Sequence, residues 1–229
     1  MVQRIMIVLL TVSSAALLGG CSKPSAPTPG AATEAASATG ATVVAEKPAE
    51  GGGATVTPTG KKVLMLAAPK DFRDEELLEP KAALEAAGYE VVMGSVQKGP
   101  LTGAGGATAE ATVTAAEVVP SDYAGVVFVG GPGMVKYLKD KSLVAAAKAF
   151  RDAGKVTSAI CVAPAILANA GVLKGVEATV FSSEVGTLKA GGAKVSNQPV
   201  VVAGKIVTAN GPAAAKQFGQ KVVEALGAQ

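Results

Sequence analysis

The chain has 229 residues, and its 21 Lys and Arg against 18 Asp and Glu leave a formal net charge of +3 at pH 7. These charges are interspersed along the chain, which excludes the basic footprint that a nucleic-acid partner requires. Histidine is absent, so the usual metal ligand, the usual general base and every Ser-His or Cys-His nucleophile pair are excluded as well; the residues imply neither a metal nor another cofactor.

At the N-terminus Arg4 precedes an apolar run from Ile5 to Leu18. A charged start and a short hydrophobic core make residues 1–20 an export signal, too short to span a bilayer. The run closes on Leu18-Gly19-Gly20-Cys21, which resembles the lipobox that bacterial signal peptidase reads before the cysteine receives diacylglycerol. Cys21 is therefore the expected lipidation site and the membrane is the expected partner. Ser22 next to it favours, by resemblance to enterobacterial sorting, the periplasmic face of the outer membrane. Residues 21–60 are Ala, Gly, Pro, Ser and Thr with a few charges and no aromatic residue. Such a stretch cannot offset its ordering entropy and reads as a disordered tether. Residues 61–229 are long enough to bury one substantial core.

Within that domain Val63-Leu64-Met65-Leu66 predicts a buried parallel strand. A loop follows through Pro69 and Phe72, and Asp74 caps a helix reaching Ala87, which Gly88 stops. Glu90 to Met93 predicts a second strand. The Gly, Ala and Thr-rich segment from Val96 to Ser121 has no legible period, apart from a short strand near Ala111 to Val113. Gly125 to Val129 predicts a buried strand running into Gly130-Gly131-Pro132-Gly133, a turn through which backbone can approach a ligand closely. A helix over Lys141 to Ala153, a strand over Val156 to Ile160 and a helix over Ala163 to Ala170 come next. Strands near Glu177 to Val180, Val200 to Ala203 and Lys205 to Val207 precede a last helix from Ala213 to Leu226. Alternation of this kind implies a mostly parallel sheet covered on both faces.

Ligands bind at the carboxyl ends of such strands. Three of those ends carry Glu76, Gly130-Gly131 and Cys161. Ala159-Ile160-Cys161-Val162-Ala163-Pro164 has the strand, turn and helix order of a nucleophile elbow. There the N-terminal end of the following helix would favour the thiolate and lower the thiol pKa. With Cys21 consumed by lipidation, Cys161 has no disulfide partner in an oxidising compartment. On the residues alone Cys161 is either a reactive thiol or a small buried apolar residue, and Glu76 either a site carboxyl or a solvated first-turn acid.

Four segments, in order, resemble the ThiJ/PfpI family, which includes the Parkinsonism-associated deglycase and belongs to the class I glutamine amidotransferase-like superfamily. Val63-Leu64-Met65-Leu66 with Phe72-Arg73-Asp74-Glu75-Glu76-Leu77 resembles its first strand and acidic motif. Asp122-Tyr123 through Gly130-Gly131-Pro132-Gly133 resembles its central strand and Gly-Gly turn. Ala159-Ile160-Cys161-Val162-Ala163-Pro164 resembles its cysteine elbow, and Gly204 to Pro212 its closing segment. The resemblance implies a flavodoxin-like three-layer sandwich, with Cys161 as nucleophilic and oxidisable thiol and Glu76 as a protonated carboxyl touching it. The amides of Gly131 and Val162 would bind the anion, and relatives commonly form homodimers. The chain departs from the family pattern where many members place His, having Val162 after Cys161 and Phe181-Ser182-Ser183 in the neighbouring loop. Cys-His proteolysis is therefore discounted. What remains is thiol addition to a reactive aldehyde such as a glyoxal, in stress protection. The alternative is a non-enzymatic redox or binding module using oxidation of Cys161.

Overall fold

Val63–Leu66, an apolar run with no polar alternation, becomes the inner part of strand β1 (Lys62–Leu66), and all four residues are fully buried, as a strand covered on both faces requires. The chain continues through β2 (Lys70–Phe72), α1 (Asp74–Ala86), β3 (Glu90–Ser95), β4 (Gly99–Gly103), β5 (Thr108–Ala111), β6 (Val113–Thr114) and β7 (Gly125–Phe128). Next come α2 (Lys141–Asp152), β8 (Val156–Ile160), α3 (Pro164–Asn169), β9 (Glu177–Ala178) and α4 (Val185–Ala190). β10 (Lys194–Val195), β11 (Val200–Ala203), β12 (Ile206–Ala209) and α5 (Ala215–Gly227) close the fold. This computed structural model describes residues 61–227; the signal, Cys21 and the tether read from the sequence lie outside the described residues.

Seven strands form one sheet in the order β11-β12-β8-β7-β1-β3-β6, and only the β11–β12 pair is antiparallel. Helix α1 packs on α5 and α2 packs on α3, each pair against the sheet. The result is the three-layer α/β sandwich with a mostly parallel sheet that the alternation implied. The chain leaves β1 for β3 on one side and returns to β7 on the other. The topological switch thus lies between β1 and β7, and the crevice outside their carboxyl ends is where such sheets take ligands.

Several local features differ from the sequence reading. Lys70–Phe72, expected as loop, pairs as β2 with β4, and β4 pairs antiparallel with β5 in a small side sheet. The illegible segment thus holds three short strands, the expected strand near Ala111 to Val113 being divided between β5 and β6. Asp74 does not cap α1. The N-cap residue is Arg73, without a side-chain cap bond, and the Asp74 carboxylate instead accepts from the amides of Gly105 at 2.6 Å and Ala107 at 2.7 Å. It thereby ties the β4–β5 loop to the start of the helix. Helix α1 also runs through a proline, Pro80, which is buried and faces Gly219 of α5.

Candidate active site

The turn after β8 puts Cys161 at φ +63°, in the left-handed region that few non-glycine residues enter. The surrounding backbone imposes this conformation. The Cys161 amide donates to Ala209 O at 2.9 Å and its carbonyl accepts from Phe181 N at 2.8 Å, so β12 and the loop after β9 hold the two peptide groups that flank the Cys161 Cα. Strain of this kind persists only where the structure around it over-determines the geometry. Cys161 is 7 % exposed.

The glycine turn after β7 closes on the same point. A Cβ on Gly130 would lie 2.6 Å from both Cys161 Cβ and Glu76 Oε2, so glycine is what allows the elbow and the carboxyl to converge. Gly131, at φ +108°, would meet the Arg73 amide and, at 2.7 Å, the Phe72 carbonyl carbon. Arg73 N donates to Gly130 O at 3.3 Å across this contact.

Glu76 sits in the first turn of α1, fully buried. Other buried polar side chains find partners: Ser95 Oγ donates to Ala67 O at 2.7 Å, and Ser158 Oγ donates to Val126 O at 2.8 Å. Among the described residues, the buried side-chain oxygens and nitrogens without a partner are both oxygens of Glu76. The Cys161 side chain and the Gly130 amide act on the carboxyl as donors, yet neither meets it at full hydrogen-bond geometry. A buried carboxyl left in this state is costly unless the site uses it.

Burial pushes Glu76 up to about 7, against the opposing pull of the Cys161 side chain, the Arg73 charge and the Gly130 amide. Burial likewise pushes Cys161 up to about 12, helped by the charge and hydrogen bonding of Glu76 and opposed by the amides of Gly131 and Val162. The expected fall in the thiol pKa is therefore corrected. Helix α3 has only six residues, and its dipole at Cys161 is outweighed by desolvation and by the adjoining carboxyl. The resting thiolate is corrected with it, whereas the upward push on Glu76 runs in the direction of the protonated carboxyl that was expected. Burial thus favours the protonated form of both groups.

Cys161, Glu76, Gly131 and Val162, singled out in the sequence, thus come together and line one cleft of about 340 Å³. Phe181 and Ser183 also line it, at the loop where an imidazole would have stood. Arg73, Pro132, Val135 and Pro212 complete the wall and were not anticipated, although Arg73 lies inside the acidic motif and could have been read as a charge at the cleft. A second depression of about 420 Å³ shares Phe181 and Pro212 with the first and is lined by uncharged groups, Asn197 and Asn210 among them. No group of three or more Cys, Asp or Glu able to hold a metal occurs among the described residues.

Residues 61–225 match the model of the DJ-1/PfpI family. An uncharacterised protein of Methanocaldococcus jannaschii is 44 % identical over 168 residues, 72 % of this chain and 82 % of that protein. A deglycase of Thermococcus kodakarensis is 37 % identical over 153 residues, covering 66 % of this chain and 90 % of the relative. Among solved structures, a ThiJ/PfpI domain protein from Brachyspira murdochii superposes with a TM-score of 0.72 at 33 % identity, over 76 % of this chain and 99 % of that one.

Proposed function

The chain belongs to the DJ-1/PfpI family, and from that premise we propose that it is an envelope-anchored thiol protein whose Cys161 and Glu76 act on reactive α-oxoaldehydes. The observation that carries this reading is the fully buried carboxyl of Glu76, which no group meets at full hydrogen-bond geometry, converging with the elbow cysteine. With no histidine in the chain, that carboxyl is the group placed to move the thiol proton. Its pKa of about 7 suits the task, because a base titrating near the working pH is both available and able to release what it takes. The deglycase names of relatives at 35 to 37 % identity agree with carbonyl chemistry.

Glu76, ionised, takes the proton of Cys161 as Sγ bonds to the aldehyde carbon. The C=O π pair moves onto oxygen beside the Gly131 and Val162 amides, and that oxygen receives the proton back from Glu76. The carboxylate then transfers the hydrogen of the hemithioacetal carbon, as a proton, to the neighbouring carbonyl carbon through an enediol, while the hemithioacetal hydroxyl gives up its proton and the former ketone oxygen gains one. A thioester results, and water cleaves it to the α-hydroxy acid and the free thiol. The net change is addition of one water to the α-oxoaldehyde, with no external oxidant or reductant.

Consumption of methylglyoxal by the purified protein tests this. Cys161→Ala is expected to fall to the uncatalysed background, and Glu76→Gln by about 10² to 10⁴. In the wild type kcat/KM should rise with pH as the carboxyl loses its proton around pH 7, a rise that Glu76→Gln lacks. Equal background loss by all three proteins would refute the proposal.

A further inference from the structure

Methylglyoxal has three carbons and would leave most of a cleft of about 340 Å³ empty. The unused wall has a definite chemistry. Pro132, Val135, Phe181 and Pro212 make it apolar, and among the described residues Arg73 is the one cation lining it. The Arg73 backbone is fixed by its amide bond to Gly130 O and by Leu77 N donating to its carbonyl at 3.2 Å, so the guanidinium emerges from a set point at the start of α1. Its Nε contacts Glu75 Oε2 at 2.9 Å, both side chains being about half exposed, at 45 % and 53 %. A guanidinium has five N–H donors in a planar fork, and a single Nε contact leaves the outer edge able to take a carboxylate. An exposed pair of this kind holds weakly, so an incoming anion can compete with Glu75.

Taking the proposed carbonyl chemistry at Cys161 as given, we infer that Arg73 is a specificity-determining residue, and that the preferred substrate is an α-oxoaldehyde carrying a carboxylate on a short aliphatic arm. The reactive carbonyl meets Sγ at the cleft floor, the arm lies along the apolar wall and the carboxylate reaches the guanidinium.

Two probes of equal length isolate the charge: 4,5-dioxopentanoate, and 2-oxopentanal, in which methyl replaces the carboxylate. The wild type should favour the acid in kcat/KM by about tenfold or more, as one charge-assisted contact provides. Arg73→Gln should bring that ratio close to one, Arg73→Lys should retain part of it, and Glu75→Gln, which removes the competing carboxylate, should raise it. Turnover of both probes with the same ratio in wild type and Arg73→Gln overturns the inference while the proposed function stands. Turnover of methylglyoxal but of neither probe also overturns the inference while the proposed function stands; should the wild type turn over none of the three aldehydes, the proposed function fails and binding decides this point separately. Unreactive 4-oxopentanoate, but not pentan-2-one, should then protect Cys161 from alkylation in the wild type and not in Arg73→Gln; equal protection by the two overturns the inference.

Discussion

At the scale of single residues, Glu76 links protonation to stability. Its carboxyl titrates at 4.5 when unperturbed and at about 7 in the fold. Between those values the folded state holds a proton that the unfolded state has lost. The contribution is therefore complete below pH 4.5 and disappears as pH rises through about 7, opposite to the behaviour of a salt-bridged acid. The difference amounts to about 3 kcal/mol as an order of magnitude. Urea unfolding at steps from pH 5 to pH 8 should show the wild type losing stability over that window and Glu76→Gln losing much less; parallel profiles would contradict a buried, titrating carboxyl. The position of Cys161 was legible because a strand, Cys161 and Pro164 follow one another within a few residues. Its protonation was not. Desolvation comes from what lies above the sulfur, and Glu76, Gly131 and Phe181 are far from it in sequence.

Among the elements, α1 shows how tertiary contact overrides local rules. A proline inside a helix removes one hydrogen bond and crowds the preceding turn, yet α1 continues past Pro80 because its buried face is packed on α5. The approach is close enough that a Cβ on Gly219 would lie 2.8 Å from Pro80 Cα and 3.1 Å from Ala83 Cβ. In an exposed helix Gly→Ala stabilises by roughly 0.5–1 kcal/mol. Here the sign should reverse, with Gly219→Ala costing about 1–3 kcal/mol through overpacking, read as a lower urea midpoint; an unchanged or higher midpoint would mean that the two helices can separate freely. The side sheet of β2, β4 and β5 was illegible for a related reason. Its strands have three to five residues and pair mainly with one another, so too few positions exist for a period to show. Helix α4, six residues long, escaped notice likewise.

For the whole molecule, the proposed membrane attachment would depend on the residues before the domain. No helix among the described residues is long and apolar enough to cross a membrane, and the chain's net charge of +3 is small for electrostatic adhesion. A diacylglycerol on Cys21 brings two acyl chains, and two such chains anchor stably where one does not. Cys21→Ser should accordingly abolish incorporation of labelled fatty acid and move the protein from the membrane fraction to the soluble one, with methylglyoxal turnover retained. Membrane association that survives this substitution would reject the anchor.

The amino-acid order by itself determined the sandwich. Uninterrupted apolar runs at β1 and β7 must be buried on both faces, and helical stretches between strands must cover the sheet. It also singled out Gly131 and Cys161 beyond strand ends, because strand ends and glycine turns are local signals, and Glu76 within an acidic motif that follows the first strand. What those groups are to one another was settled in three dimensions. The convergence over Gly130, the left-handed Cys161 held by Ala209 and Phe181, the buried carboxyl and the Arg73 wall all arise from contacts between segments distant along the chain. Desolvation and close approach depend on distance in space, which no periodicity along the sequence encodes.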